Sequence, residues 1–400
     1  MTDRIKTLVL YATGSAHWAP IAIDTLLRGI LHLSDEDLAP SNPLPKRLAS
    51  RSLQTRFHYQ NLSYVQDWQD AFVRAPQLDI DTLNTINLVD FARVRRKLKE
   101  YDLIVVLHSA VGDKFNLLRR VEGWFQDRRG KLLVLPGNEY TLMPDKIGFL
   151  RAVEADFVGS QLPLDAAAWL YAECQPTRLL AAPHALNPRV YFPDPAATRT
   201  IDIGFIGDIH PFFVGDLERT QTVRYFQEQS ASLGLSCDIR TRRIAREDWA
   251  RFLNGCRGII GAESGTYFLE RSDRTRNAVQ EYVREHPGAS FAEIHERFFR
   301  HYPHPRSGKA ISSRHFEPIG TLTCQILLEG RYNDILQPDE HYLALKKDYS
   351  NIDDVVGRFK DDGYRRAMVT RTRDYVLDNH TYRHRVDSLI RDMFGSSGLR

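Results

Sequence analysis

The residues best suited to chemistry in this sequence are an arginine and a glutamate three positions apart, Arg314 and Glu317. They precede an apolar run at 324–328 that has the length of a buried strand. A helix that begins near Arg314 would direct backbone amides and a guanidinium toward a phosphate group. A carboxylate close by can accept hydrogen bonds from both hydroxyls of a ribose. The same spacing also fits a surface ion pair on a helix, and the residues alone leave both interpretations open.

Polar residues and glycines follow most of the predicted strands. Because ligands of open parallel α/β sheets bind beyond the carboxyl ends of the strands, these residues are candidates for a site. In the first half of the chain the candidates are Gly14, Ser15, His108, Asn138 and Glu139. In the second half they are Gly207, His210, Arg242 and Glu263. Each of them taken singly also fits a loop or a helix cap.

His108 and Glu139 are the predicted catalytic residues. His108 ends the most apolar strand of the first half, and Glu139 follows the next buried strand. A histidine can position a substrate hydroxyl or share a proton with it near neutral pH. Glu139 would hold that histidine or accept a hydrogen bond from the substrate. The alternative is that His108 is a satisfied core residue.

Strand and helix patterns alternate in both halves of the chain. In the first half, strands are predicted at 6–12, 101–108 and 131–136, and helices near 87–99, 113–128 and 163–173. In the second half, strands are predicted at 201–208, 235–240, 257–265, 324–328 and 341–345. This order predicts an α/β fold of two Rossmann-like, doubly wound domains that face a central cleft.

A proline-containing stretch at 183–200 predicts the linker between the two domains. We therefore expect a first domain at 1–190, a second at 191–365, and terminal helices at 366–400 that could pack back on the first domain. Residues 268–306 are charged and aromatic, with helical patterns and no buried strand. They are predicted to form a helical insertion in the second domain.

Composition excludes several classes of protein. The chain has 400 residues, of which 42% are hydrophobic and 26% charged, with a net charge of +3. These values are typical of a globular protein and too mild for a nucleic-acid-binding protein. No run is long enough to span a bilayer, and the first apolar stretch is interpreted as a strand rather than a signal peptide. Four widely spaced cysteines indicate a reducing compartment. We expect a cytoplasmic protein with, at most, a peripheral membrane contact through the basic run at 94–100.

Three segments carry a resemblance to a known family. RHFEPIGTLTCQILLEGRYNDILQPDEHYLALKKD and YRRAMVTRTRDYVLDNHTYRHRV resemble the second domain of family 4-like, CgeB-like glycosyltransferases, and PHALNPRVYFP resembles the linker of many GT-B enzymes. The resemblance implies a GT-B fold in which the second domain binds a nucleotide-diphosphate sugar and the first binds the acceptor. It implies that Glu317 holds the donor ribose and that Arg314 meets the diphosphate. Gly14, Ser15 and Asn138 would then contact the acceptor.

The sequence departs from the family pattern at several positions. Lys309 stands where the first glutamate of an E-x7-E pair is usual, and Leu322 stands where glycine is common. GDIHPFF replaces the arginine and lysine expected after the first strand of the second domain. The candidates for the diphosphate contacts are therefore His210, Arg242, Lys309 and Arg314.

The sequence predicts neither a metal nor a cofactor. Asp79-Ile-Asp81 has the form of a metal-binding D-x-D, but it is interpreted as a loop or cap because no clear strand precedes it. His380 and His384 have metal-ligand spacing without an apparent third ligand. There is no GxGxxG motif for a dinucleotide.

The function expected from the resemblance is sugar transfer from a nucleotide-diphosphate sugar, with retention of configuration. The acceptor would be a glycan, a lipid-linked molecule or a small molecule, and not a nucleic acid. Two alternatives stay open: a nucleotide-sugar epimerase of the same fold, and a binding protein of that fold without turnover.

Overall fold

The computed structural model describes residues 4–12, 63–111, 117–209, 211–241, 244 and 246–395. Within these ranges the strands form two fully parallel sheets. The first sheet has the order β2-β1-β3-β4-β5-β6, with β1 (Ile5–Tyr11), β2 (Leu78–Asn84), β3 (Leu103–Val106), β4 (Lys131–Val134), β5 (Phe157–Ser160) and β6 (Arg178–Ala181). The second has the order β11-β10-β9-β7-β8, with β7 (Ile201–Ile206), β8 (Cys237–Arg240), β9 (Cys256–Gly261), β10 (Cys324–Leu328) and β11 (Leu343–Leu345).

Helices connect the strands and cover both sheets. Those of the first domain are α1 (Ser63–Val73), α2 (Leu88–Lys97), α3 (His108–Val111), α4 (Met143–Ala152) and α5 (Leu164–Leu170), with 3-10 turns at Leu118–Asp127 and Ala172–Cys174. Those that follow are α6 (Glu218–Gln229), α7 (Arg246–Gly255), α8 (Arg274–Glu285), α9 (Phe291–Ile294), α10 (Ser313–Gly320), α11 (Ile352–Lys360), α12 (Asp362–Asn379) and α13 (Tyr382–Phe394). Short 3-10 turns occur at Phe212–Val214 and Tyr332–Asp334, and a π turn occurs at His295–Phe299.

The predicted fold class of two Rossmann-like parallel sheets is confirmed. The interior strands β3 and β10 are buried along their whole length, as expected for strands with helices on both faces. The segment with Asp79 and Asp81 was predicted as a loop or cap, and that prediction is wrong. It lies in the edge strand β2, whose exposed face tolerates the aspartates. Asp81 there accepts a hydrogen bond from the hydroxyl of Tyr101.

The last helix returns to the first domain. α12 packs on the second sheet through Met368, whereas Leu389 of α13 shares a core with Trp68 of α1. The crossover is fixed by backbone hydrogen bonds, because Leu186 of the linker donates to His380 and accepts from Tyr382. The linker and the chain terminus therefore form a double connection between the two domains.

We predict that Leu389→Ala lowers the free energy of unfolding by about 2–5 kcal/mol, because the side chain is fully buried and its removal leaves a cavity. Urea denaturation measures the loss. Leu164→Ala is the matched control, since that side chain is half exposed and its removal should change stability by less than about 0.5 kcal/mol. Equal losses in the two variants would contradict the packing of α13.

Candidate active site

A cavity of about 380 Å³ lies between the two sheets. Its second-domain wall contains the ends of β7 and β9, where Gly207 and Ala262 lie. Its first-domain wall contains Asn138, Glu139 and Tyr140, which follow β4. The cavity therefore stands at the carboxyl ends of parallel strands in both domains, where ligands bind in open α/β sheets.

Arg314 lies in the first turn of α10 and lines this cavity. Its guanidinium carbon is 4.2 Å from the ring centroid of Trp249, which also lines the cavity. The Trp249 indole Nε1 donates to Glu317 Oε2 at 2.6 Å, and Arg314 Nε lies 3.8 Å from the same oxygen. Within the described residues Arg314 Nη1 has no hydrogen-bond partner. The guanidinium therefore combines a fixed position with a remaining donor.

Glu317 is buried behind that wall rather than exposed on it. Only 1% of its side chain is accessible, and it is absent from the lining of the cavity. Its carboxylate accepts the hydrogen bond from Trp249 and lies close to the Arg314 guanidinium, so it helps to hold both side chains in position. The structure therefore gives Glu317 a supporting position, and its contact with a ribose stays a prediction.

Arg219 is a cationic group of the cavity that the sequence interpretation missed. It lies in the first turns of α6 and lines the cavity, and its Nη2 donates to Ser264 Oγ at 3.2 Å. The arginine and lysine usual after the first strand of this domain are missing, and Arg219 supplies positive charge on the helix that follows the same strand. The sequence pattern did not identify Arg219 because it follows a 3-10 turn and Gly215, whose backbone is left-handed.

His315 joins the two elements that form the floor of the cavity. The Ser312 amide donates to its Nδ1 at 2.9 Å, so Nε2 carries the proton and donates to Ala262 O at 3.1 Å. The first bond is part of the capping box of α10. Burial lowers the pKa of His315 to about 4, which keeps the imidazole neutral near pH 7.

Lys309 and Glu263 do not line the cavity. The Lys309 ammonium lies 2.7 Å from Asp216 Oδ2 and 3.2 Å from Glu218 Oε2, and its side chain is 3% exposed. Two carboxylates already balance this charge, so the geometry gives a phosphate contact by Lys309 no support. Glu263 accepts from the Tyr332 amide at 2.7 Å, and burial raises its pKa. Both residues border a smaller cavity of about 260 Å³ beside Arg331.

His108 is buried behind the first-domain wall and does not line the main cavity. Burial, followed by the nearby His184 and Lys146, lowers the pKa of His108 to about 3. Two other histidines line the cavity: His315, and His184 of the linker, whose Nδ1 lies 3.1 Å from the Tyr382 hydroxyl. The geometry therefore favours the core interpretation of His108 over a catalytic one.

Glu139 lines the cavity but is held by the first domain. It accepts hydrogen bonds from Ser160 Oγ at 2.6 Å, Gln161 N at 2.7 Å and Tyr171 Oη at 2.8 Å. These donors, rather than the expected His108, hold the carboxylate. Burial raises the pKa of Glu139, although those hydrogen bonds act to lower it. Its neighbour Asn138 is exposed in the cavity and has a left-handed backbone, with φ of 41°.

Four predicted site residues lie outside the described part of the chain, and they are Gly14, Ser15, His210 and Arg242. Gly207 lines the cavity as predicted. Across the described residues, no group of three His, Cys, Asp or Glu side chains has an arrangement that could hold a metal ion. In the same part of the chain, no helix has the length and apolar character needed to cross a membrane.

Comparisons with known proteins bear on the class of fold. The profile of a family described as "Glycosyl transferase-like" matches residues 242–391. An alpha-glucosyltransferase in complex with UDP and a 13-mer DNA containing a HMU base is similar with a TM-score of 0.53, at 7% identity over 100% of both chains. The T4 phage BGT in complex with its UDP-glucose substrate is similar with a TM-score of 0.50, at 12% identity over 98% of this chain and 99% of that one. No curated protein matches the sequence significantly.

These findings define the class of fold. At such low identities the structural likeness establishes the fold alone, and that fold is the two-domain GT-B arrangement. The matched segment begins just before α7, ends within α13 and includes Arg314 and Glu317. The glycosyltransferase resemblance of the second domain is therefore supported, while the CgeB-like subgroup stays a prediction.

We predict that His315→Gln makes stability less sensitive to acid. The unfolded pKa of histidine is about 6.5, so the unfolded chain binds more protons than the folded chain as the pH falls from there to about 4. Protonation linked to His315 therefore lowers the free energy of unfolding as the pH falls through this window. Glutamine at the same position of a capping box keeps the cap without titrating. The loss of unfolding free energy between pH 7 and pH 5 should be smaller in the variant by roughly 1–2 kcal/mol.

Urea denaturation of both proteins at the two pH values measures this difference. His286→Gln is the matched control, because His286 lies on the exposed C-terminal end of α8. Identical acid sensitivity in the wild type and His315→Gln would contradict a buried neutral His315.

Proposed function

We propose that this protein transfers a sugar from a nucleotide-diphosphate sugar to an acceptor. The observation that carries the proposal is that Arg219 of α6 and Arg314, in the first turn of α10, both line the second-domain side of the interdomain cavity. The diphosphate of the donor would lie between the two guanidinium groups. The family matched by residues 242–391 supports the same reaction class.

The electrostatics of this wall suit a leaving diphosphate. Ser312, Ser313 and Arg314 line the cavity at the start of α10, where free amides and the helix dipole favour an anion. Negative charge builds on the diphosphate as its bond to the sugar breaks. Fixed cations and amides lower the barrier because they are oriented before the reaction begins.

The first-domain wall would bind the acceptor opposite the donor. Asn138 and Tyr140 lie on that wall, and Glu139 stands between them. The cavity is lined by both domains, and closure of the domains over the donor would exclude the water that otherwise hydrolyses it. We propose a glycan, lipid-linked or small-molecule acceptor and retention of configuration, both of which rest on the resemblance. Since one structural relative is in complex with DNA, an acceptor screen should include a DNA duplex.

One assay separates this proposal from its alternatives. The purified chain is incubated with UDP-, GDP- and other nucleotide sugars, with and without acceptors. Nucleotide release that increases with an acceptor supports transfer. Inversion at C2 of the sugar without release indicates an epimerase, and thermal stabilisation without either reaction indicates a binding protein.

We predict that Arg219→Ala and Arg314→Ala each weaken UDP binding about 10- to 100-fold, the cost of losing charge-assisted hydrogen bonds to a phosphate. Isothermal calorimetry measures the affinity, with GDP substituted if the nucleotide-sugar panel selects it. Arg314→Lys should recover only part of the loss, because lysine cannot form a bidentate contact.

Arg251→Ala is the matched control for this pair. Arg251 lies on α7 with 77% of its side chain exposed, and it pairs with Asp248 on the same helix. Its removal should leave nucleotide affinity unchanged within about twofold. If Arg219→Ala and Arg314→Ala bind as tightly as Arg251→Ala, the diphosphate does not lie between these arginines.

We also predict that turnover is independent of metal ions, because two arginines and helix amides supply the positive charge that a metal would otherwise provide. The rate of nucleotide release should change by less than about twofold in EDTA. Complete loss of activity that manganese or magnesium restores would contradict this prediction.

A further inference from the structure

The helical insertion at 268–306 contacts the first domain. Arg271 at its start donates through Nε to the Trp169 carbonyl at 3.1 Å, and its Nη1 lies 3.1 Å from Glu173. Its guanidinium carbon is 4.5 Å from the centre of the Trp169 ring. The insertion is therefore joined to the first domain near α5, although its residues lie within the second domain's part of the sequence.

Asp273 caps a helix of the other domain instead of its own. It occupies the N-cap position of α8 with φ of 54° and makes no side-chain cap there. Its Oδ1 instead accepts from the Met143 amide at 3.3 Å. Met143 begins α4, whose own N-cap Leu142 has no capping side chain. An insertion carboxylate thus satisfies a free amide at a helix start of the first domain.

Arg276 reaches the same segment from one turn further along α8. Its Nη1 donates to the Tyr140 carbonyl, and its guanidinium carbon lies 5.4 Å from the Tyr140 ring and 4.2 Å from that of Phe213. Phe213 belongs to the second domain, after β7. The guanidinium is therefore held between aromatic rings of both domains.

The segment that receives these contacts is strained. We call residues 137–142 the wall loop, because Asn138, Glu139 and Tyr140 line the main cavity. Gly137, Asn138 and Leu142 have φ values of 54°, 41° and 55°, which are uncommon for residues other than glycine. Lys146 Nζ donates to the Gly137 and Asn138 carbonyls at 2.5 and 2.9 Å, so the first domain holds one side of the loop. Asp273 and Arg276 hold the other side.

We propose that Asp273 and Arg276 are positioning residues that shape the acceptor wall from the second domain. The wall loop reaches its catalytic conformation only when the insertion is docked on it, so acceptor geometry is coupled to the closed arrangement of the two domains. This inference rests on the proposed function for its catalytic consequence. The docking itself does not depend on that function.

Hydrogen exchange followed by mass spectrometry tests the docking in the full-length protein. In Asp273→Ala, amides in a peptide spanning the wall loop and the start of α4 should exchange at least about tenfold faster. Asp273→Asn should restore slow exchange, because asparagine is an equally good cap. The matched control is Asp361→Ala, which removes an aspartate that caps α12 from that helix's own N-cap position. That variant should leave the wall-loop peptide unchanged.

Steady-state kinetics then test the consequence. Asp273→Ala and Arg276→Ala should lower kcat for acceptor-dependent nucleotide release at least about fivefold, while calorimetric affinity for UDP stays within twofold. Asp273→Asn should recover kcat, and Asp361→Ala should leave it unchanged. Unchanged exchange in Asp273→Ala, or an equal increase in Asp361→Ala, would overturn the docking.

The two proposals fail in different ways. If the wild type neither binds nor turns over any nucleotide sugar, the proposed function is wrong, and the exchange data still decide the docking. If exchange increases but kcat stays at the wild-type value, the docking stands and the positioning role is overturned.

Discussion

The buried ion pair between Asp67 and Arg246 is the interaction on which the site depends. It joins α1 of the first domain to the first residue of α7 in the second, and Asn187 of the linker donates to the same aspartate at 2.7 Å. Asp67 is 1% exposed, and burial raises its pKa even beside the guanidinium. Such a pair adds little net stability, but separating it leaves buried charges without partners. It therefore fixes the orientation of α7, which carries Trp249 against Arg314.

Sequence patterns predicted all five strands of the second sheet but only β1, β3 and β4 of the first. β3 and β10 are continuous apolar runs because helices cover both faces, so composition alone identifies them. β2 and β6 are the edge strands of the first sheet, and the exposed positions of β2 carry aspartates that resemble a loop. Neither was predicted.

The site was predicted in part, for a related reason. The position of a residue after a strand identifies the correct edge of the sheet, and Gly207 and Asn138 do line the cavity. The same rule also selected His108 and Glu263, because it cannot distinguish a side chain on the wall from one buried behind it. Arg219 and Asp273 were missed, since one follows an irregular turn and the other acts across the domain boundary.

Burial also determines which groups can respond to pH. His184 and His315 stay neutral because burial lowers the pKa of the former to about 3 and of the latter to about 4, while arginine does not titrate in proteins. The positive charge of the proposed donor wall is therefore constant from about pH 5 upward. Burial also raises the pKa of Glu139 on the opposite wall. Titration near neutrality would instead involve Asp67, whose pKa burial raises to about 7.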